Sequence, residues 1–464
     1  MSFIFIFRRD LRIDDNVAYQ MCVKEAARLD YDVLPIFIYN KQQIDPKLNP
    51  FFSKRSFEFM NACISDLKHV CPGLTVYEGA LDEHKDDVAM LSRILSVRKG
   101  KGIHAIYFNA DLSSPFARNR DAKIRDFCVS KEIECLAPTT DYSLVDPSTM
   151  AKPYQKFTPF YNKYVGTVKL NEASKTSKAS KAATSKASKA SKAFKASKRG
   201  IALAILKRIE RGDFDNYSKT RDQIWNPDGT TRLSAYMKYG CISVREAFHA
   251  SRNNKALQRE FMWRAFYDQI AYWFPRVLEG KSLKAQYDGI KWRGSAAHFE
   301  AWKHGRTGFP LIDAGMRQLL TTGFMHNRLR MICASFLVKS LHIDWRRGER
   351  WFATQLLDYH PASNNGGWQW ASGSGADSQP YFRSFSPWIQ SKKHDPDAAY
   401  IKTYVAELKD VPARDIHMWW KATGADSKYP RPCVDHTAEN KKYVEMIKKD
   451  VYVPHGKIVP SRSS

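Results

Sequence analysis

Met1-Ser-Phe-Ile-Phe-Ile-Phe-Arg-Arg-Asp10 opens the chain with five consecutive large apolar residues, Phe3 to Phe7, closed by charge. The run is far short of a bilayer span and ends in no small-residue cleavage site, so it reads as a strand buried on both faces. Working outward, similar runs at Val33 to Tyr39, Leu74 to Tyr77 and His104 to Phe108 alternate with helical periodicity over Val17 to Arg28, Lys54 to Val70, Val88 to Arg98 and Arg118 to Lys131. This alternation predicts an α/β domain over residues 1–141, a Rossmann-like parallel sheet with helices on both faces. The GxGxxG phosphate loop is absent, so dinucleotide binding is not assigned to that half.

Residues 142–199 form a connector. Within it, residues 173–198 hold eight Ala, eight Lys, seven Ser, two Thr and one Phe, built on an Ala-Ser-Lys repeat. Lysines three apart drift around a helix without defining a face and repel one another, so this stretch is expected to be a basic, disordered insertion. Beyond it, over 200–453, long helical patterns take over, including Leu257 to Phe274, Leu311 to Leu320 and Met325 to Leu341, before a flexible tail at 454–464. All 12 tryptophans lie in this half, from Trp225 onward, which suggests an aromatic-lined site as well as a core.

The whole chain of 464 residues carries 74 Lys+Arg against 48 Asp+Glu, a formal charge of +26, which points to a polyanionic partner, nucleic acid first. The insertion supplies +8 of this, so the excess does not depend on it. Hydrophobic residues at 43% exclude a purely disordered basic protein. The eight cysteines show no CxxC pair and no metal-ligand spacing, so no metal is expected and a reducing, intracellular compartment fits best. No apolar stretch is long enough for a membrane helix.

Chemistry concentrates in three segments. In Asp358-Tyr-His-Pro-Ala-Ser-Asn-Asn-Gly-Gly-Trp-Gln-Trp370, two glycines allow close backbone approach while amides and indoles can grip a flat heterocycle. In Met325-His-Asn-Arg-Leu-Arg-Met-Ile332, Asn327, Arg330 and Met331 stand at i, i+3 and i+4 and share a face, an odd set for a core. In Arg259-Glu-Phe-Met-Trp-Arg-Ala-Phe-Tyr267, Glu260, Trp263, Arg264 and Tyr267 follow the same spacing. An acid beside an indole suits a nucleobase, whose edge takes hydrogen bonds and whose face takes stacking.

Together these segments resemble the DNA photolyase/cryptochrome family, specifically class I cyclobutane pyrimidine dimer photolyases. Further matches are Phe7-Arg-Arg-Asp-Leu-Arg-Ile-Asp-Asp-Asn16, Gly229-Thr-Thr-Arg-Leu-Ser234, Thr307-Gly-Phe-Pro-Leu-Ile-Asp-Ala-Gly-Met-Arg317, Asp344-Trp-Arg-Arg-Gly-Glu-Arg350 and Pro380-Tyr-Phe-Arg383. The resemblance implies an all-α C-terminal domain binding one FAD, active as the reduced anion, with the flipped lesion docked near it.

Matched by motif, Tyr217 and the stretch Thr230, Thr231, Arg232, Leu233 and Ser234 are expected to hold the FAD phosphates. Glu260, Arg264, Tyr267, Asn327 and His360 are expected to contact the cofactor. Arg330 and Asp358 resemble the ion pair beside the isoalloxazine, and Asn364 the amide facing flavin N5. Trp263 and Trp370 resemble the walls of the lesion pocket, Glu260 the acid bonding the thymine edge, and Asn327 and Met331 the floor. Arg221, Trp263, Arg328, Trp370, Arg383 and Gln390 match DNA-binding positions. Trp368, Trp345 and Trp292 fall where the family places its electron-transfer relay, from flavin to surface.

The sequence departs from the pattern twice. His360 stands where class I relatives have a second acidic residue, and Asn109-Ala-Asp-Leu-Ser-Ser-Pro-Phe-Ala117 lacks the glutamate pattern of folate-binding relatives, leaving a second, antenna chromophore open in identity. The implied activity is light-driven splitting of pyrimidine dimers in DNA by a soluble, monomeric enzyme lying with the genome. A cryptochrome-type photoreceptor would need the flavin and tryptophans but no lesion pocket. A (6-4) photolyase is disfavoured because Met325-His-Asn-Arg lacks that subfamily's paired histidines.

Overall fold

The computed structural model describes residues 1–78, 86–97, 102–169, 195–421 and 428–452. Most of the lysine-rich insertion and the tail at 454–464 therefore lie outside the described residues. Grouped by internal contacts, the chain forms two compact units. The first comprises Met1–Arg221, Asp228–Leu278 and Ala353–Ser363, and the second Asp222–Pro227, Glu279–Phe352 and Asn364–Ser464.

The first unit is built on a five-stranded sheet: β1 (Ser2–Phe7), β2 (Asp32–Ile38), β3 (Thr75–Tyr77), β4 (Ile103–Tyr107) and β5 (Glu134–Leu136). The order is β3-β2-β1-β4-β5, parallel throughout, with Phe3 opposite Val33 and Phe5 opposite both Pro35 and Tyr107. The opening run is thus the central strand, buried along its whole length. Successive strand residues face opposite ways, and the Phe/Ile alternation uses this. Phe3, Phe5 and Phe7 join Ala18, Cys22, Cys63, Ile64 and Leu67 in one core, whereas Ile4 and Ile6 join Met90, Leu91, Ile94, Ile124 and Phe127 in the other. Burying such side chains contributes about 1.5 to 3 kcal/mol each.

Four helices cover the sheet: Val17–Leu29, Lys54–Val70, Asp87–Val97 and Pro115–Ser130. Asn16, Ser53 and Ser114 cap three of them by accepting the N–H of Tyr19, Ser56 and Ala117. The strand β5, Glu134-Cys-Leu136 at the sheet edge, starts on a charge and so lacks the apolar run by which the others are read.

The charged stretch after β1 is a buried scaffold. Arg8 pairs with Asp121 at 2.5 Å, Arg9 with Asp111 at 2.7 and 2.8 Å, and Arg12 with Asp141 at 2.7 Å, while Arg245 bridges Asp15 and Asp141 at 3.1 Å each. These bonds fix the loop after the central strand and the start of helix Val244–Ala250, whose capping box joins Ser243 and Glu246. The remaining helices of the first unit include Phe157–Tyr164, Lys198–Glu210 and Lys255–Trp273.

The second unit is helical, with Pro310–Thr322, Asn327–Lys339 and Trp345–Gln355 among its elements, and helix Pro361–Ser372 enters it at Asn364. Helix 310–322 begins with Pro310 and ends at Gly323, which takes φ 69° to terminate it. Asp313 anchors that start: its carboxylate accepts from the N–H of Thr307 (2.9 Å) and of Gly308 (3.0 Å) and from the Tyr429 hydroxyl. No helix among the described residues is long and apolar enough to cross a membrane.

Candidate active site

Helix Lys255–Trp273 starts at Asn254, whose side chain accepts the Leu257 N–H. Nine of its residues are buried, on more than one face. Glu260, Trp263, Arg264 and Tyr267 break this pattern as a partly exposed line at i, i+3, i+4 and i+7. Over residues 260–271 these four alone are not buried, and the stripe of acid, indole, guanidinium and phenol is open to a ligand.

Two neighbours shape the stripe. Phe157, fully buried, lies flat on Trp263, with ring centroids 3.8 Å apart and planes within 3°. Arg259 closes the other side of Phe157, its guanidinium carbon 4.6 Å from the ring centroid. One face of the indole is therefore covered and held. Glu260 accepts from Nη1 of Arg221 at 2.6 Å, so two residues expected in different roles meet in an ion pair.

Deeper in the same unit lies a group of polar side chains with unused hydrogen-bonding atoms. Nε and Nη2 of Arg264, both carboxylate oxygens of Asp268 and Nε2 of His360 are buried without a well-formed hydrogen bond. Asp268 is 8% exposed and His360 3%. Nε2 of His360 comes within 3.4 Å of Oδ1 of Asp268. Burial, with the nearby Arg264, pushes His360 well below its ordinary value, so the ring is neutral. Burial raises Asp268 to about 6 and lowers Arg264 to about 10. Lys238 is drawn down to about 7 by burial and by Arg9. Unsatisfied buried polar atoms cost roughly 1 to 3 kcal/mol each, and so many together mark a place where a polar ligand completes the bonding.

The expected phosphate segment has its own signature. Tyr217 is buried, and Arg232 takes φ 50°, in the left-handed region that a bulky residue adopts only under constraint. Helix Ser234–Lys238 follows at once, and Leu233 at its cap gives no side-chain hydrogen bond. The first backbone N–H groups of that turn, beside Thr230, Thr231 and Ser234, are left without a side-chain cap.

In the second unit, Nδ2 of Asn327 lies 3.7 Å from the sulfur of Met331, and Nε of Arg330 donates to the Met325 carbonyl at 2.8 Å. Arg328 grips Asp222 through Nη2 at 2.8 Å to each oxygen. The Asp222 carbonyl also meets Nδ1 of His394 at 3.1 Å, and Nε2 of His394 meets Oε1 of Gln390 at 3.2 Å. Arg328 and Gln390 are thus tied into one network. Arg383 is exposed, and its carbonyl accepts from Nζ of Lys339 at 2.5 Å. Trp370 stacks on Phe385 at 6.3 Å, and Asn364 donates to the Glu349 carbonyl at 3.2 Å. A Cβ on Gly367 would meet open space. Asp358 lies in the first unit and Arg330 in the second, so their pairing stays an expectation from resemblance.

The tryptophans expected to form a relay differ in burial. Trp368 is 2% exposed and Trp345 1%, whereas Trp292 is partly exposed beside Arg293, whose N–H donates to the His342 carbonyl at 3.2 Å. Trp368 packs edge-on against Phe352 and Trp302 at 5.0 and 6.0 Å. Its ring lies against the backbone at Gly348, where an added Cβ would stand 2.2 Å from Cη2.

Sequence reasoning missed Phe157, Asp222, Asp268 and Lys339. Asp268 could have been found by extending the stripe by one step, since it stands four residues after Arg264. The other three act through partners distant in sequence, which no local spacing signals.

A family model described as DNA photolyase matches residues 3–180, and one described as the FAD binding domain of DNA photolyase matches residues 257–449. A curated protein from Alkalihalophilus pseudofirmus, named deoxyribodipyrimidine photo-lyase, is 32% identical over 96% of this chain and 97% of its own length. Among solved structures, an archaeal photolyase from Sulfolobus tokodaii with two FAD molecules is 35% identical, with TM-score 0.80 over 97% of this chain and 100% of that one. A bacterial class III photolyase from Agrobacterium tumefaciens is 27% identical, with TM-score 0.82 over 97% of this chain and 98% of that one.

Proposed function

The chain belongs to the DNA photolyase family, and we propose that it is a light-driven deoxyribodipyrimidine photo-lyase that binds FAD and splits cyclobutane pyrimidine dimers in DNA. The observation that carries the reading is the partly exposed stripe of Glu260, Trp263, Arg264 and Tyr267, set among buried residues over 260–271. The residues present fit FAD: buried Arg264 and His360 hold unused donors, Asp268 unused acceptors, and the turn after Arg232 starts a helix without a side-chain cap. When bound and reduced, FAD supplies the light-excitable electron that ring opening needs.

The protein's part is to bind and orient. Tyr217 and Thr230 to Ser234 would hold the diphosphate with hydroxyls and backbone N–H groups. By motif, Arg264, Asp358 and His360 of the first unit would meet the flavin, as would Arg330 and Asn364 of the second. Glu260 would hydrogen-bond the edge of the flipped base, and Trp263, pinned by Phe157, would stack on its face. In the second unit, Trp370, Asn327 and Met331 would face the lesion and Arg328, Arg383 and Gln390 would engage the strand, as Arg221 would in the first. Trp368, Trp345 and Trp292 would carry an oxidising equivalent outward during photoreduction.

Dimer rather than (6-4) chemistry is supported by His326. This histidine of the Met325-His-Asn-Arg segment is buried, and its Nδ1 accepts the Arg328 N–H as a helix cap, leaving the segment without a paired-histidine acid. A second chromophore is proposed for the groove lined by Asn40, Gln42, Asp87, Phe116, Asn119 and Arg120. The protein acts as a monomer in the compartment of the genome, without a metal.

The test is to illuminate purified protein with oligonucleotides carrying one defined thymine dimer or one (6-4) product. Restoration of the dimer substrate alone is expected. No repair of either, with FAD bound and photoreduced, would replace the proposal with a photoreceptor.

A further inference from the structure

Arg264 and Asp268 stand one turn apart on helix Lys255–Trp273, and His360 reaches them from the segment that ends the first unit. The tautomer of His360 follows from its neighbours. The Ser363 backbone N–H, which can only donate, points at Nδ1 at 3.4 Å, and the Ser363 hydroxyl lies 3.0 Å from the same atom. Nδ1 is therefore the acceptor, and the proton sits on Nε2, the atom 3.4 Å from Oδ1 of Asp268. Neither atom closes a good bond with the other. The arrangement holds buried donor atoms from His360 and Arg264 and the carboxylate of Asp268, which also faces the Ser143 hydroxyl and has acceptor capacity left for a third group.

The charges around them are nearly matched. Arg9 and Arg264 bring two cations and Lys238, lowered to about 7, a third in part, while Asp111 is already committed to Arg9 through two bonds. Asp358 is the other carboxylate facing the group. With His360 neutral, Asp268 is the acid that balances Arg264 from within the same helix.

We propose that Asp268 is a further cofactor-site residue of this chain, its carboxylate setting the negative charge met by bound FAD, with His360 as the positioning residue that keeps a donor turned toward it. The proposal rests on the reading that the chain binds FAD. It assigns to Asp268 a job that residue type and position alone would not suggest, because an acid in a buried helix stripe ordinarily serves only its neighbouring arginine. Removing one negative charge near a group that becomes more negative on reduction favours the reduced form.

The experiment measures FAD content and the midpoint potential of bound FAD, by equilibration with reference dyes, in the wild type, Asp268→Asn and Asp268→Glu. Asp268→Asn is expected to favour reduced FAD about tenfold, a rise of roughly 30 mV for a two-electron couple, with Asp268→Glu close to wild type. A potential unchanged in Asp268→Asn at full FAD content overturns the proposal. Should Asp268→Asn fail to fold, the wild type itself decides. Reduction raises the proton affinity of Asp268, so the potential should change more steeply with pH from about pH 6 upward, where reduced enzyme holds a proton that oxidised enzyme has lost, and relax below pH 6; an unbroken slope from pH 5 to 8 overturns the proposal equally. Folded wild type that takes up no FAD at all would instead sink the cofactor reading on which the proposal rests.

Discussion

Nη1 of Arg221 lies 2.6 Å from Oε1 of Glu260, in a pair whose side chains are 39% and 32% exposed. One residue is assigned to the DNA strand and the other to the flipped base, so in the lesion-free protein the two recognition groups satisfy each other. At this exposure the pair contributes at most about 1 kcal/mol to stability, and solvent screening reduces even that. Arg221→Ala should therefore leave melting nearly unchanged while flattening the salt dependence of binding to undamaged DNA by about one phosphate contact. Glu260→Ala should keep FAD and lose dimer repair roughly tenfold or more, the worth of a hydrogen bond to a charged group. Flash-induced repair yield at matched FAD content checks it, and wild-type repair by Glu260→Ala would remove this residue from the lesion pocket.

Phe157 should matter to lesions although it touches solvent nowhere. Its flat contact with Trp263 holds the indole in one orientation, and aromatic pairing of this kind is worth about 0.5 to 1.5 kcal/mol beyond area burial. Phe157→Leu should weaken dimer-DNA affinity between about twofold and tenfold and leave binding of undamaged DNA alone. Titrations well below the melting temperature separate this from general destabilisation, and equal losses on both DNAs would show that Phe157 only fills the core.

Trp292→Phe should block photoreduction of oxidised FAD by an external donor while chemically reduced enzyme still repairs. Trp292 is partly exposed, as the surface end of the proposed relay should be. Growth of the reduced-flavin spectrum under blue light at the wild-type rate would take Trp292 out of the relay.

Lys339 carries a pH signature. Burial lowers it from its ordinary value to about 8, so between pH 8 and 10.5 the unfolded chain binds more protons than the native one and this group's contribution to stability rises with pH. Relative to Lys339→Met, the wild type should gain about 2 kcal/mol in denaturant unfolding between pH 7 and 9.5. The same variant frees the Arg383 carbonyl, so weaker DNA binding should accompany it. A stability difference that does not change with pH would mean the ammonium is solvated.

Deleting residues 173–194 removes six lysines but spares Ser197, whose hydroxyl accepts the Gly200 N–H at 3.0 Å to cap helix Lys198–Glu210. Binding to undamaged DNA should lose part of its salt dependence while repair persists. An identical slope would show that these lysines never meet phosphate.

The alternation in Phe3 to Phe7 made the central strand legible because each residue has a separate core to enter, and helix Lys54–Val70 was legible from periodicity alone. The strand β5 was not, since Glu134-Cys-Leu136 opens on a charge, whereas the equally short edge strand β3 continues an apolar start at Leu74. Among site residues, the stripe from Glu260 to Tyr267 could be read because helical spacing is local. The pairing of Arg221 with Glu260, 39 positions apart, could not, and nor could the bond from Lys339 to the chain at Arg383. The motif around Arg8 to Asn16 was legible as a family mark, yet its chemistry turned out to be internal ion pairing, because charges in sequence say nothing of which opposite charges burial will bring to them.

Gly348 makes a different kind of demand. The Trp368 ring and the Leu337 side chain occupy the volume a methyl group would need there, so the seat of this indole is held by an absence. Tunnelling falls off exponentially with distance, and in the proposed relay no oxidisable group need be altered to throttle it. A single carbon atom added at this glycine would displace the ring and work as a spacer in the proposed wire, tuning how quickly the protein rearms itself in light while the set of oxidisable groups stays the same.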